Sequence, residues 1–403
     1  MAELPASLRG SAASVAPVGP NWRIIRDPLG VNKLFWTRGD DGGIVFAARP
    51  KVLVEQGHPF EGISAVPRGS ITTLPADSAD ETAVQTIPLW QRSAARSLEI
   101  VAAEIRSTLN RYLAALASAR DGAQFLVCLS GGLDSSGIAA LAREHCSGLV
   151  AVSFDLERRR GESDDRVEAK RLAHDLNLPL VCVTSSPDSV LEKLDMVLTE
   201  GIDWRDFNVH AALVNASLAE AIAAIPTEDA KVVLTGDLAN EFLADYGPEH
   251  YAGSAYYDLP RLSPGALRTV LVRGLDTSNR EVGIFGAWGL PVVQPYAAAV
   301  DSYLALPADL LGSGDGKRRL GEAVFGGLLP RYAYDRPKIR AQVGSAGEDK
   351  GILALCVERG IHADYLRSRF ASLHGTSLAS LDRFIRAGMY RAVVPASRAG
   401  GAA

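Results

Sequence analysis

Cysteine is scarce and falls in no pattern that metal or disulfide chemistry uses. The four, Cys128, Cys146, Cys182 and Cys356, form no CxxC pair, which argues against a zinc site and a disulfide framework. Cys128 and Cys182 lie in apolar, strand-like runs and read as core thiols. None of the seven histidines stands at metal-ligand spacing. No apolar run reaches the length of about 20 residues that a bilayer-spanning helix needs. The stretch from Met1 to Pro20 is rich in Ala, Ser, Pro and Gly and lacks the apolar segment of a secretion signal, so a cytoplasmic location is expected. A basic block is also missing. The net charge is −5 over 403 residues, a poor basis for binding nucleic acid.

What is present is ample apolar text, 47% hydrophobic against 22% charged residues, enough for a large core. Its pattern changes along the chain. Residues 1–21 read as a flexible arm and 393–403 as a flexible tail. From Trp22 to Leu74 the text is β-like. Ile44 to Ala48 follows the turn Gly39-Asp40-Asp41-Gly42-Gly43, with Leu34-Phe35-Trp36 as a hairpin partner. Residues 75–88 read as a linker, so that 22–88 form a small β-rich unit with its tether. Between Arg92 and Ser118, Val101, Ile105, Leu109, Leu113 and Leu116 recur at helical spacing.

Strands and helices then alternate. Phe125–Leu129, Leu149–Phe154, Leu180–Thr184 and Lys231–Thr235 read as strands. Ser136–Glu144, Asp165–Leu176 and Ala211–Ile225 read as helices, with Val167, Leu172 and Leu176 expected in the core. The fold class is therefore α/β: a parallel sheet with helices on both faces, a small β-rich N-terminal part and a mainly helical region after Tyr246. Ligands of such sheets lie at the carboxyl ends of the strands, where the loops at 130–135 and 235–241 both emerge.

The run Ser130-Gly131-Gly132-Leu133-Asp134-Ser135-Ser136 joins a buried strand to a helix. Its glycines let backbone amides approach phosphate oxygens, and the helix N-terminus behind them offers free N–H groups and a positive dipole end. The serines add hydroxyls. Asp134 suits an anion site only if a magnesium ion bridges carboxylate and phosphates. The Gly-Lys-Ser/Thr ending of the Walker loop is absent. The run instead resembles the PP-loop of ATP pyrophosphatases, which cleave ATP between its α and β phosphates.

Further segments resemble the asparagine synthetase and β-lactam synthetase branch of that family. Leu234-Thr235-Gly236-Asp237-Leu238-Ala239-Asn240-Glu241-Phe242 is similar to its S-G-E-G-A-D-E-L-F, and Gly161-Glu162-Ser163-Asp164-Asp165 to its S-D-E segment. Gly316-Lys317-Arg318-Arg319-Leu320, Leu329-Pro330 and Arg336-Pro337-Lys338 resemble K-x-x-L-R … L-P … R-x-K. Arg26-Asp27-Pro28-Leu29-Gly30-Val31 resembles text late in the family's glutaminase domain. The resemblance runs from about residue 22 to 345, across the unit at 22–88 and into a synthetase domain set at 89–392. It implies an adenine nucleotide α-hydrolase-like fold and a ligase that uses ATP and Mg²⁺. Such a ligase would adenylate a small carboxylic acid and pass the acyl group to ammonia or an amine. It implies a nucleotide set of Ser130, Gly131, Gly132, Leu133, Asp134, Ser135, Ser136, Ser153, Phe154 and Gly236. The metal set is Asp134, Asn240 and Glu241, and the catalytic set Asp237, Lys338 and Lys317. Lys338 would stabilise charge on the acyl oxygen or α-phosphate, Lys317 would hold pyrophosphate, and Asp237 would act as base.

Departures refine that expectation. The family's glutaminase nucleophile is an N-terminal cysteine; here residue 2 is Ala and no cysteine precedes Cys128, so residues 22–88 read as a truncated remnant without glutaminase activity. The family's second magnesium aspartate is Asn240. The text G-L-E-V-R-x-P-F-L-D becomes Gly289-Leu290-Pro291-Val292-Val293-Gln294-Pro295-Tyr296-Ala297-Ala298, losing Glu, Arg and Asp. An intramolecular lactam or macrolactam cyclase and a non-catalytic partner subunit stay open as alternatives, as does a homodimer or a partner protein. Asp164 and Asp165 also fit plain first-turn helix acids. Asp203 to Asn208 suits either an acceptor pocket or a capped loop, and His210 reads as a structural histidine.

Overall fold

The computed structural model of the protein describes residues 13–75, 83–86, 95–157, 162–312, 314–345 and 350–384. Gly161, the first twelve residues and the expected tail at 393–403 lie outside them. Two small antiparallel sheets come first. One holds β1 (Ala13–Val18), β2 (Asn21–Arg26), β6 (Ser70–Pro75) and β7 (Ala83–Thr86) in that order; the other runs β4 (Ile44–Ala47), β3 (Phe35–Arg38), β5 (Ser64–Ala65). The β3–β4 hairpin is the expected one. Two expectations change. Residues 13–18, read as part of an arm, pair along the whole of β2. Residues 83–86, read as linker, add a strand beside β6. In both places the small and polar composition hid an edge strand, whose outer face needs no apolar residues.

The main sheet runs β10 (Leu180–Ser185), β9 (Val150–Leu156), β8 (Gln124–Cys128), β11 (Lys231–Leu234), β14 (Val292–Val293), all parallel. Successive residues point to opposite faces. Phe125 and Val127 of β8 and Val232 and Leu234 of β11 enter one core layer, with Val101, Ile105, Leu109 and Leu113 of helix Leu98–Ala119. Leu126 and Val233 enter the other, with Val209, Leu213 and Ala216 of helix Asp206–Ala224. Both faces are covered, which explains why these strands read as continuous apolar runs. A hairpin, β12 (Glu249–Tyr251) with β13 (Ser254–Tyr256), interrupts the helical C-terminal half. Among the described residues no helix is long and apolar enough to cross a membrane.

Local chemistry moved several boundaries. Helix Leu98–Ala119 starts where the Ser97 hydroxyl accepts from the Ile100 N–H, later than the periodicity suggested. Helix Asp206–Ala224 starts five residues before the expected Ala211, so Asp206, Phe207 and Asn208 form its first turn. Val167 faces solvent, 47% exposed, whereas Leu172 and Leu176 are buried as expected. Cys128 and Cys182 are only half-buried; the thiols in the core are Cys146 and Cys356.

Candidate active site

The loop after β8 and the loop after β11 meet because their strands are neighbours. Gly131 takes a left-handed φ of 72°, and a Cβ there would lie 2.6 Å from the Cβ of Glu168 on the next helix. Gly236 lies against the other side of the turn, where an added Cβ would come within 2.6 Å of the Ser135 backbone nitrogen. Two glycines thus let three pieces of backbone stack at the N-terminus of helix Leu133–Ala142. Arg336 ties the assembly together. Its guanidinium donates to the Ser130 carbonyl at 2.6 Å and to Asp165 at 2.5 Å. Asp165 is 3% exposed, and burial raises its carboxyl to about 7 even against the pull of Arg336. The exposed neighbour Asp164 is the ordinary first-turn acid. Tyr296 adds a third tie, its hydroxyl donating to the Asp134 carbonyl at 3.0 Å.

These pieces border a cleft of about 640 Å³. Most of the expected site residues line it: Ser130, Gly132, Leu133, Asp134 and Ser135 from the loop, Ser153 and Phe154 from β9, Gly236, Asp237 and Asn240 from the second loop, and Lys317 and Lys338 opposite. Three do not. Gly131 serves the turn from behind. Ser136 is fully buried, and its hydroxyl donates to the Gly132 carbonyl at 2.8 Å. Glu241 faces away from Asp134: one of its oxygens receives Arg280 at 3.1 Å and the Tyr246 hydroxyl at 2.8 Å. Cys128 also lines the cleft, and burial pushes its thiol well up.

The charged groups sort into two clusters. In the first, the Lys317 ammonium donates to Asp134 Oδ2 at 2.5 Å and Asn240 Oδ1 at 2.7 Å. Two hard oxygens therefore converge on one cation, the donor type magnesium prefers alongside substrate phosphates. Asp134 and Asn240 fit a magnesium ion; Glu241, held by Arg280, does not join them. Beside this group Lys338 donates to the Asp245 carbonyl at 2.7 Å and lies over the Tyr246 ring at 4.3 Å. Burial, then the nearby Lys317, lowers Lys338 to about 7.

The second cluster is a buried charge network that sequence reasoning missed. Arg280 bonds Glu281 through Nε, Asn208 Oδ1 at 3.0 Å and Glu241. Burial, then the Glu281 carboxylate, pushes Asp237 up to about 7 while Arg280 opposes. Beyond its neighbour Glu281, the partners of Arg280 are 39 and 72 positions away, so no local pattern marks the network. Two buried hydroxyls on the cleft, Ser153 and Ser345, have no hydrogen-bond partner among the described residues.

His210 is buried, bonds the Tyr257 hydroxyl at 2.7 Å and is lowered to about 3 by desolvation. It stays neutral and structural. Asp203 divides the expected polar cluster: it accepts a bidentate pair from Arg205 and a bond from Asn208 at 2.7 Å, while Trp204 packs on Phe370.

The profile of the asparagine synthase family matches residues 104–282, spanning β8 to β11 and both loops of the cleft. This stretch, under half of the chain, is similar to the asparagine synthase domain. The matched segment is narrower than the motif resemblance, and Lys317, Arg336 and Lys338 reach the domain's cleft from outside it. No curated protein sequence matches the chain at a significant level. Among solved structures, the NMN synthetase from Francisella tularensis is 17% identical, with TM-score 0.34, over 72% of this chain and 93% of that one. The NH3-dependent NAD synthetase from Campylobacter jejuni is 17% identical, with TM-score 0.26, over 38% of this chain and 62% of that one. Likeness at this level bears on neither substrate nor activity.

Proposed function

We propose that the protein is an ATP-dependent, AMP-forming amide ligase that adenylates a carboxylate and transfers the acyl group to ammonia or an amine. The asparagine synthase domain supports the class. The observation that carries the reading is convergence: loop 130–135, the Asp134–Lys317–Asn240 group, Asp237 and Lys338 border one cleft at the carboxyl edge of a parallel sheet.

A substrate carboxylate oxygen attacks the α-phosphorus of ATP, and the α–β bridging bond breaks to release pyrophosphate. In this reading the loop amides and Lys317 would hold the phosphates, and Lys338 would meet charge on the α-phosphate or acyl oxygen. Asp134 and Asn240 would hold the magnesium ion, which when bound offsets charge on the departing pyrophosphate. In the second half, an ammonium donor gives one proton to Asp237. Its nitrogen then attacks the acyl carbon, AMP leaves with the former carboxylate oxygen, and the second N–H proton passes to solvent. A base near pH 7 is well matched to that first transfer. The chain is proposed to draw on a free amine or ammonia.

The test is ATP–pyrophosphate exchange across a panel of carboxylic acids, with nucleotide products separated by chromatography. Acid-dependent exchange with AMP as product is expected. Acid-dependent ADP release would sink the reading.

A further inference from the structure

Behind the nucleotide cleft lies a second cavity, of about 310 Å³. The two share a wall made of Phe207, Tyr246, Arg280, Glu281 and Arg340. The far side of the second cavity is apolar, formed by Leu259, Leu271 and Leu275, with Val31 from the N-terminal β part. Its polar lining is unusual in one respect. Glu241, Asn279 and Gln294 are 5%, 5% and 6% exposed. Each has a buried side-chain oxygen with no partner among the described residues: Glu241 Oε2, Asn279 Oδ1 and Gln294 Oε1. Leaving a buried acceptor unpaired is costly, so three among the residues of one cavity point to a ligand that donates.

The charges on the same walls give its sign. Every arginine there is already engaged. Arg205 is held by Asp203, Arg280 by Glu241 and Glu281, and Arg340 by the Gly247 carbonyl and by Glu249 at 3.5 Å. Each guanidinium described on these walls already has a carboxylate partner. Asp206, by contrast, accepts only the Phe207 N–H at 2.6 Å among the hydrogen bonds described. Size decides between ammonia and something larger. Ammonia is close to water, which occupies about 30 Å³ in the liquid, and the cavity holds roughly ten times that.

From these observations we infer that the second cavity binds the acyl acceptor, a primary amine carrying an apolar or aromatic body. Its ammonium would lie among the unpaired oxygens of Glu241, Asn279 and Gln294. Its body would lie on Leu259, Leu271 and Leu275. Asp237 lines the cleft on the other side of that shared wall, beyond Arg280 and Glu281. The inference rests on the ligase reading above, and names the acceptor class for it.

The experiment is equilibrium binding to the full chain, with 2-phenylethylamine as probe beside 2-phenylethanol, 3-phenylpropionate and ammonium chloride. The melting shift caused by MgATP is read in parallel. Saturable binding of 2-phenylethylamine, at least about tenfold tighter than the other three, is expected. Leu271→Trp, which fills the cavity, should abolish it. Glu241→Gln, which keeps the shape and can still accept from Arg280, should weaken the amine about tenfold and leave the alcohol unchanged. Binding of the carboxylate in place of the amine, equal binding of ammonium, or no binding of any probe would each overturn the inference. A MgATP shift alongside any of these leaves the ligase reading standing, whereas absence of that shift removes the ligase reading whatever the amine does.

Discussion

Asp134 and Asp237 line the same cleft in different surroundings. Asp134 faces Lys317 and the phosphate loop, where its charge can be shared with a metal ion. Asp134→Ala should abolish ATP-dependent pyrophosphate release while the melting temperature stays within a few degrees of wild type; turnover near wild type in the folded variant would remove the metal role. Asp237 faces the buried Arg280 network. Asp237→Asn should keep most pyrophosphate exchange but lose amide product by roughly 100-fold, the upper part of the range for a lost general base. An equal drop in both activities would remove it from that role. Its titration gives two further checks. Amide formation should rise with pH through about 7 as Asp237 ionises, then fall as Lys338, also lowered to about 7, loses its proton. Lys338→Arg should erase the falling limb, because a guanidinium stays charged. For stability the sign is reversed. Asp237 titrates near 7 when folded against 3.8 in the unfolded chain, so the folded state binds its proton more tightly. That stability is present below pH 4 and lost as pH rises to 7. Asp237→Asn should therefore match wild type at pH 4 and exceed it at pH 8 in a urea denaturation series.

Between the elements, the fit of loop against loop depends on what is missing from side chains. Gly236→Ala would put a methyl 2.6 Å from the Ser135 nitrogen, a backbone contact that cannot swing aside. The phosphate loop must then shift, and the apparent affinity for ATP should fall at least about tenfold; an unchanged affinity by equilibrium dialysis would show that the loops do not stack this way. The sequence made much of this visible. Gly131, Gly132 and Asp134 stand between an apolar strand and a helix, and the alternation of strands and helices laid both loops on one sheet edge. The periodic apolar residues of helix Leu98–Ala119 were legible for the same reason, since a buried helical stripe repeats in the text. What stayed hidden were contacts between distant positions. Arg336 reaches Ser130 across 206 residues and Arg280 reaches Asn208 across 72, and no local pattern encodes such a bond. Glu241 reads as a metal ligand because it follows Asn240, which stands where the resembled family has its second magnesium aspartate. One step along a short helix turns a side chain about 100° and delivers it to Arg280 instead.

At the scale of the whole molecule, the N-terminal β part is fastened to the domain by buried polar groups. Arg26, 2% exposed, pairs with Asp276; Lys33 donates to the Leu275 carbonyl at 2.7 Å and Arg68 to the Val272 carbonyl at 3.2 Å. Burial lowers Lys33 to about 7. Arg26→Ala would leave Asp276 and two backbone carbonyls without their donor, and should cost about 3–5 kcal/mol in chemical denaturation, the range for breaking a buried pair. A cost below about 1 kcal/mol would mean the two parts are joined by other means. The wall between the two cavities has a consequence of its own. Arg280, Glu281 and Tyr246 face both, so a ligand that reorients them on one side changes what the other side offers. Thermodynamic linkage then makes the effect mutual: if the nucleotide tightens the amine by some factor, the amine tightens the nucleotide by the same factor. Affinities measured one ligand at a time would understate both, and the protein would do its chemistry chiefly when the two arrive together.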